Sequence, residues 1–198
     1  MPDMIHMLMR GGWMMIPILA CSLVALTITL ERLWRFQPLR LSQTADRMIK
    51  LASQGKFTDA LSFAEQRPSP TLNVLAAGIA NRTHHPERAM EAVGIKEISQ
   101  LKRRLGMLDT IITLGPLLGL LGTIIGMINS FGVMAQSGLG NPHAVTGGVA
   151  EALICTAAGI FVAVVTLIPY NYFLTCVEEE TERIEQYASQ LQGILPLT

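Results

Sequence analysis

The run TIITLGPLLGLLGTIIGMINSFGVMAQ, Thr110 to Gln136, holds no Asp, Glu, Lys or Arg, and the charge-free stretch continues to Ala150. At about 1.5 Å of helical rise per residue, about 20 such residues cross a hydrocarbon core of about 30 Å. The stretch is too long for one crossing. It is interrupted by SGLGNPHAVTGG, whose Gly, Asn and Pro favour a turn over a helix. Two spans are therefore predicted, 110–136 and 145–172, joined by a short loop over 137–144.

Upstream, Gly11 to Leu30 also lacks any ionisable side chain and gives a further span within 1–33. Ile18-Leu19-Ala20-Cys21 has the look of a lipoprotein cleavage box, but apolar sequence continues to Leu30, where a processed lipoprotein would turn polar. The span is expected to stay as an anchor. The chain is half hydrophobic and only 15% charged. Its predicted class is an all-α integral membrane protein with three transmembrane helices.

Basic residues set the orientation. All but Arg10 and Arg183 lie between Glu31 and Asp109, and the loop between the second and third spans has none. By the positive-inside rule the 34–109 segment is cytoplasmic, the amino terminus and the 137–144 loop face outside, and the 173–198 tail is inside. Zero net charge gives no hint of a nucleic-acid partner. Cys21, Cys155 and Cys176 show no metal-ligand spacing and read as small apolar residues.

The cytoplasmic segment carries helix punctuation and no strand alternation. Gly55-Lys56 separates a helix over 42–54 from another over 58–66, Pro68 and Pro70 force a break, and a third runs over 71–81. From Pro86 nothing stops a helix before Gly115, so the second span is expected to project into the cytoplasm as one long helix. The tail EEETERIEQYASQLQGIL likewise extends the third span. If Thr123 and Thr156 share a depth, Arg103 and Glu179 lie roughly 30 and 34 Å below them. Lys102, Arg103 and Arg104 then stand level with Glu178, Glu179 and Glu180. Two readings remain open: the clusters pair between neighbouring helices, or each is a solvated helix face.

Gly115, Gly119, Gly122 and Gly126 line one face of the second span, and Gly148, Ala152, Gly159 and Ala163 give the third a matching one. Small faces let helices approach closely in lipid, so these are packing surfaces. The polar residues need another account. Glu151 is followed by no charge until Glu178, and a carboxylate at mid-membrane depth costs about 2.5 to 3.5 kcal/mol. Either it marks the outer interface or it faces a bundle interior. Thr123 and Thr156 either bond their own backbone or serve a polar path. His84-His85 reads as a loop and His143 as a loop residue able to sense pH. No Ser-His-Asp set, metal-ligand spacing or phosphate loop points to an enzyme, and no metal or cofactor is expected.

With LGLLGTIIGMINSF in the second span and GGVAEALICTAAGI in the third, the chain resembles the MotA/TolQ/ExbB proton-channel family, closest to its three-span ExbB and TolQ branch. That resemblance implies a homo-pentamer around a central pore in a bacterial inner membrane. The pore encloses a dimer of an ExbD- or TolR-like single-span partner, with a TonB- or TolA-like protein beyond it. Protons are the coupling ion. Thr123 and Thr156 are implied as pore-facing hydroxyls and Glu151 as the carboxylate of that region. One departure is Pro169 in AVVTLIPYN, nearer the cytoplasmic end than the family's usual proline. ExbB-like work on TonB-dependent transport, TolQ-like envelope maintenance, a partner-independent channel and a purely structural scaffold all stay open.

Overall fold

The structure, a computed structural model, describes residues 12–36, 43–137 and 142–195. The expected outer amino terminus up to residue 11, residues 138–141 of the 137–144 loop, the His143 side chain, and the last three residues of the tail lie outside them. The described residues form seven helices: α1 (Met15–Phe36), α2 (Gln43–Ser53), α3 (Phe57–Gln66), α4 (Pro70–Ala80), α5 (Pro86–Lys102), α6 (Leu105–Ser137) and α7 (Pro142–Ile194). Three stretches, Met15–Trp34, Pro86–Ala135 and Thr146–Ile194, are long and apolar enough to cross a membrane. The chain divides into two compact units: one of residues up to Arg32 with Arg104–Asn171, the other of Leu33–Arg103 with residues from Tyr172 on.

In the first unit, α1 buries Ile18, Ala25, Ile28 and Arg32 and leaves Leu19, Leu23, Leu26 and Leu30 exposed. Apolar side chains on both faces suit a helix with protein on one side and lipid on the other. The buried line of α6 begins with large residues, Leu105, Leu108 and Ile111, and changes to Gly115, Gly119, Gly122, Gly126 and Ser130. On α7 the buried positions Ala152, Cys155, Gly159, Val162 and Thr166 recur at steps of three and four. That is the repeat of a helix-packing seam. Both long helices run through an internal proline, Pro116 and Pro169, each of which removes one backbone donor. Beside the second, Thr166 donates its hydroxyl proton to the Val162 carbonyl at 2.7 Å.

The single helix expected from Pro86 into the membrane is interrupted. α5 ends at Lys102, Arg103 is extended (φ −55, ψ 134), and Arg104 takes a left-handed φ of +70. No glycine or proline marks the place. Nη1 of Arg104 instead donates to the Glu31 carboxylate near the C-terminal end of α1. Both side chains are more than two-fifths exposed, so the pair adds little stability.

The second unit is a bundle of α2 to α5 and the end of α7. Ser69 caps α4, accepting from Leu72 N at 3.3 Å, with Pro70 in the first turn, where its missing donor costs nothing. α4 buries Thr71, Leu72, Val74, Leu75, Gly78 and Ile79, which makes it the central helix. At Gly78 an added Cβ would stand 2.6 Å from Met90 Sδ and 3.1 Å from Leu191 Cδ2, so three helices meet there. The chain turns from α2 to α3 at Gly55, whose φ of +74 suits glycine. Arg47 stacks over Phe63 and Arg82 over Phe57, at 5.3 and 4.9 Å from the ring centres.

Within this unit the buried positions of α7 are Phe173, Val177, Glu180, Ile184, Tyr187 and Leu191, an unbroken alternation of four and three. Glu180 thus occupies a core position. Its carboxylate accepts from Thr71 Oγ1 and from Arg183 Nη1, both at 2.6 Å. Asn73 Nδ2 donates to Glu97 Oε1 at 3.0 Å, and Tyr187 donates its phenol proton to Asp46 Oδ1 at 2.7 Å. The Glu180 and Tyr187 bonds set the rotation of α7 against α4 and α2, and the Asn73 bond ties α4 to α5. Tyr187→Phe should cost about 1 kcal/mol, so α2 amides should exchange with deuterium roughly fivefold faster. Unchanged exchange would show that packing alone orients the helix.

Candidate functional site

The glycines of α6 lie against α7 in antiparallel order. A Cβ on Gly115 would stand 2.8 Å from the Gly159 carbonyl oxygen and 3.7 Å from Ala163 Cβ. One on Gly119 would lie 2.9 Å from Thr156 Cα, and one on Gly122 2.8 Å from Cys155 Sγ. At Gly126 the neighbours are Ala152 Cβ at 2.9 Å and the Gly148 carbonyl at 3.2 Å. Backbone faces backbone along this seam, with dispersion and polar contacts holding the helices where lipid offers no hydrophobic drive.

Next to that seam sit the two threonines. Thr156 Oγ1 donates across it to the Gly119 carbonyl at 3.0 Å. Thr123 Oγ1 donates within its own helix to Leu120 O at 2.7 Å. Each hydroxyl carries one proton and two lone pairs. With both protons committed to carbonyls, each oxygen offers only acceptor capacity to a third group. Such a pair favours a neighbour that brings its own proton, a water or a protonated carboxylic acid, over an anion.

Glu151 is half-buried. Its carboxylate lies against Gly12, where an added Cβ would collide with Oε1 and come within 3.0 Å of Cδ. A Cβ on Gly122 would in turn lie 3.6 Å from Met14 Cβ, so the start of α1 is level with Gly122 and Cys155. From Met14 to the Glu31–Arg104 pair is roughly 26 Å along α1, and from Arg104 back to Gly122 roughly 27 Å along α6. Glu151 therefore stands about one hydrocarbon thickness from that ion pair. It sits at the end of the apolar helices opposite that pair, with the first turn of α1 against it.

Several members of the charge clusters have partners within the chain. Arg104 pairs with Glu31, Glu180 with Thr71 and Arg183, and Lys102, Arg103, Glu178 and Glu179 are exposed. Among the described residues, no group of three or more His, Cys, Asp or Glu could hold a metal ion. Sequence reading passed over Gly12, Ser130 and the core place of Glu180. Ser130 is buried, donates to Gly126 O at 2.8 Å, and would be struck by a Cβ on Gly148. Its step of four from Gly126 was the available signal. For Glu180 the signal was its register with Val177 and Ile184.

A model of the MotA/TolQ/ExbB proton channel family matches residues 66–186. The ExbB-like biopolymer transport protein 1 of Synechocystis sp. is 32% identical over 98% of this chain and 79% of its own length. The ExbB-like protein 3 of the same organism is 30% identical over 93% of this chain and 91% of its own. The Tol-Pal system protein TolQ of Pseudomonas aeruginosa is 34% identical over 68% of this chain and 55% of its own.

Proposed function

The chain belongs to the MotA/TolQ/ExbB proton channel family, and on that premise we propose that it is the scaffold subunit of a proton-driven motor in a bacterial inner membrane. Five copies surround a pore that holds two single-span partners of the ExbD or TolR kind. Its amino terminus faces the periplasm and its tail the cytoplasm. Protons passing the partner's membrane carboxyl move it between neighbouring subunits, and that movement does work on a process such as TonB-dependent transport. Each proton crossing is worth about 2.3 kcal/mol per 100 mV, enough to bias such a step.

The observation that carries this reading is the acceptor-only state of Thr123 and Thr156 beside a backbone-packed seam. A partner carboxyl that must be neutral to turn through the membrane donates its proton to such oxygens, while its charged form finds no donor in them. A gate of this kind needs no cofactor. A TolQ-like role in the Tol-Pal system is the second reading, supported by the likeness to TolQ.

The test is proton flux into vesicles holding the protein with and without a co-expressed single-span partner. Wild type should pass protons only with the partner. Thr123→Val, Thr156→Val and Glu151→Ala should each lower the flux about tenfold or more, the effect of losing ~1.4 kcal/mol at the rate-limiting step. Thr156→Val should leave the helix pair assembled, since an interhelical hydroxyl bond in lipid averages about 0.6 kcal/mol. Flux without any partner would favour a self-contained channel instead.

A further inference from the structure

We propose that the first turn of α1 is the seat of the Glu151 carboxylate and that Gly12 is its positioning residue; this rests on the proton-path reading above and concerns how that path is held. Two independent features favour glycine at this position. Its φ is +67, a backbone conformation that costs a residue with a Cβ of order 1 kcal/mol or more. A Cβ there would also run into Oε1, the tip of the flexible Glu151 side chain, and push the carboxylate away. The carboxylate thus occupies the volume where every other residue carries its side chain.

The chain makes this contact at the point where α1 begins. Met15 N bonds Gly12 O at 3.2 Å and Ile16 N bonds Trp13 O at 3.1 Å, so the turn is closed immediately after Gly12. The leading N–H groups of a helix lack intrahelical acceptors and carry its positive partial charge. A carboxylate laid on that turn is favoured electrostatically where few other polar groups are available. Met14 locks the same turn at the level of Gly122 and Cys155, on both long helices. α1 is thereby the third wall of the Glu151 site, and Gly12 sets whether the carboxylate rests on α1 or is displaced from it.

The experiment uses the full-length protein with its partner in vesicles. Gly12→Ala should lower partner-dependent flux about tenfold, the scale of coupling between residues in contact. Gly12→Asn tolerates the left-handed backbone but carries the same Cβ, so it should show the same loss; a mild Asn variant beside a severe Ala variant would reduce the effect to backbone strain and overturn the proposal. Adding Glu151→Asp to Gly12→Ala shortens the carboxylate and should restore flux to the level of Glu151→Asp alone. Full flux in Gly12→Ala with none in Glu151→Ala would overturn the seat while leaving the channel reading intact. Absence of partner-dependent flux in wild type would remove both. The contact has its own readout: with Cys21, Cys155 and Cys176 changed to alanine, Gly12→Cys with Glu151→Cys should join through a short bis-methanethiosulfonate reagent, and failure to join would overturn the contact whatever the flux.

Discussion

Gly159→Leu should separate α6 from α7 and leave no functional protein. A Cβ at this position would strike the Gly115 carbonyl oxygen and come within 3.1 Å of Gly115 C and 3.2 Å of Gly119 Cα. All three atoms belong to backbone, so no rotamer change makes room. The helices have to move apart, and the Thr156 bond to the Gly119 carbonyl is lost with them. In lipid no gain in hydrophobic burial offsets the separation. The expected cost is about 3 kcal/mol, the upper end for overpacking. It should appear as a large fall in the unfolding temperature of the detergent-solubilised protein, together with loss of flux. Gly132→Leu, on the facing helix α6, is the control, because nothing lies within 4 Å of a Cβ at Gly132. If the two variants were equally stable, the seam would not be what holds these helices together.

The second large effect belongs to the other unit. Glu180→Ala removes a carboxylate that is only 2% exposed and leaves Thr71 Oγ1 and one arm of Arg183 without the oxygens they now bond. Breaking a buried charged pair from one side costs about 3 to 5 kcal/mol, and the lower end applies because the Arg183 side chain is 26% exposed. Thr71→Val should cost about 1.5 kcal/mol, the loss of one hydrogen bond to a charged group. The double variant should cost less than the sum, since both changes remove the same contact. Hydrogen exchange along α4 reads these differences locally. An effect of Glu180→Ala no larger than that of Tyr187→Phe would mean that the carboxylate only fills space.

Spans were legible because lipid imposes a single rule, absence of charge over a fixed length, and Thr110 to Ala150 obeys it without exception. The helix ends between the first and second spans were legible to within about a residue wherever Gly or Pro punctuates, as at Gly55 and Pro70. The break at Arg103–Arg104 was not. Its left-handed residue is an arginine bonded to Glu31, far away in sequence, and local preference carries no trace of such a partner. Glu178, Glu179 and Glu180 look alike as letters, yet the first two are exposed and the third is core. Only the phase of the surrounding seam separates them. At the candidate site, the small faces were visible in the spacing, whereas the direction of each threonine hydroxyl and the contact of Glu151 with Gly12 depend on three-dimensional register that spacing does not carry.

The glycine seam also has a genetic consequence. Any base change in the first two positions of a glycine codon introduces a side chain or a stop, and at Gly115, Gly119, Gly122, Gly126 and Gly159 even a methyl group meets an atom closer than 3 Å. These codons have almost no neutral neighbours. The exposed leucines and isoleucines of the same helices can drift among apolar codons at little cost. Lineages of this protein should therefore accumulate substitutions on the outer faces of α6 and α7 while the seam stands nearly still, and a survey of natural variants would read that contrast directly.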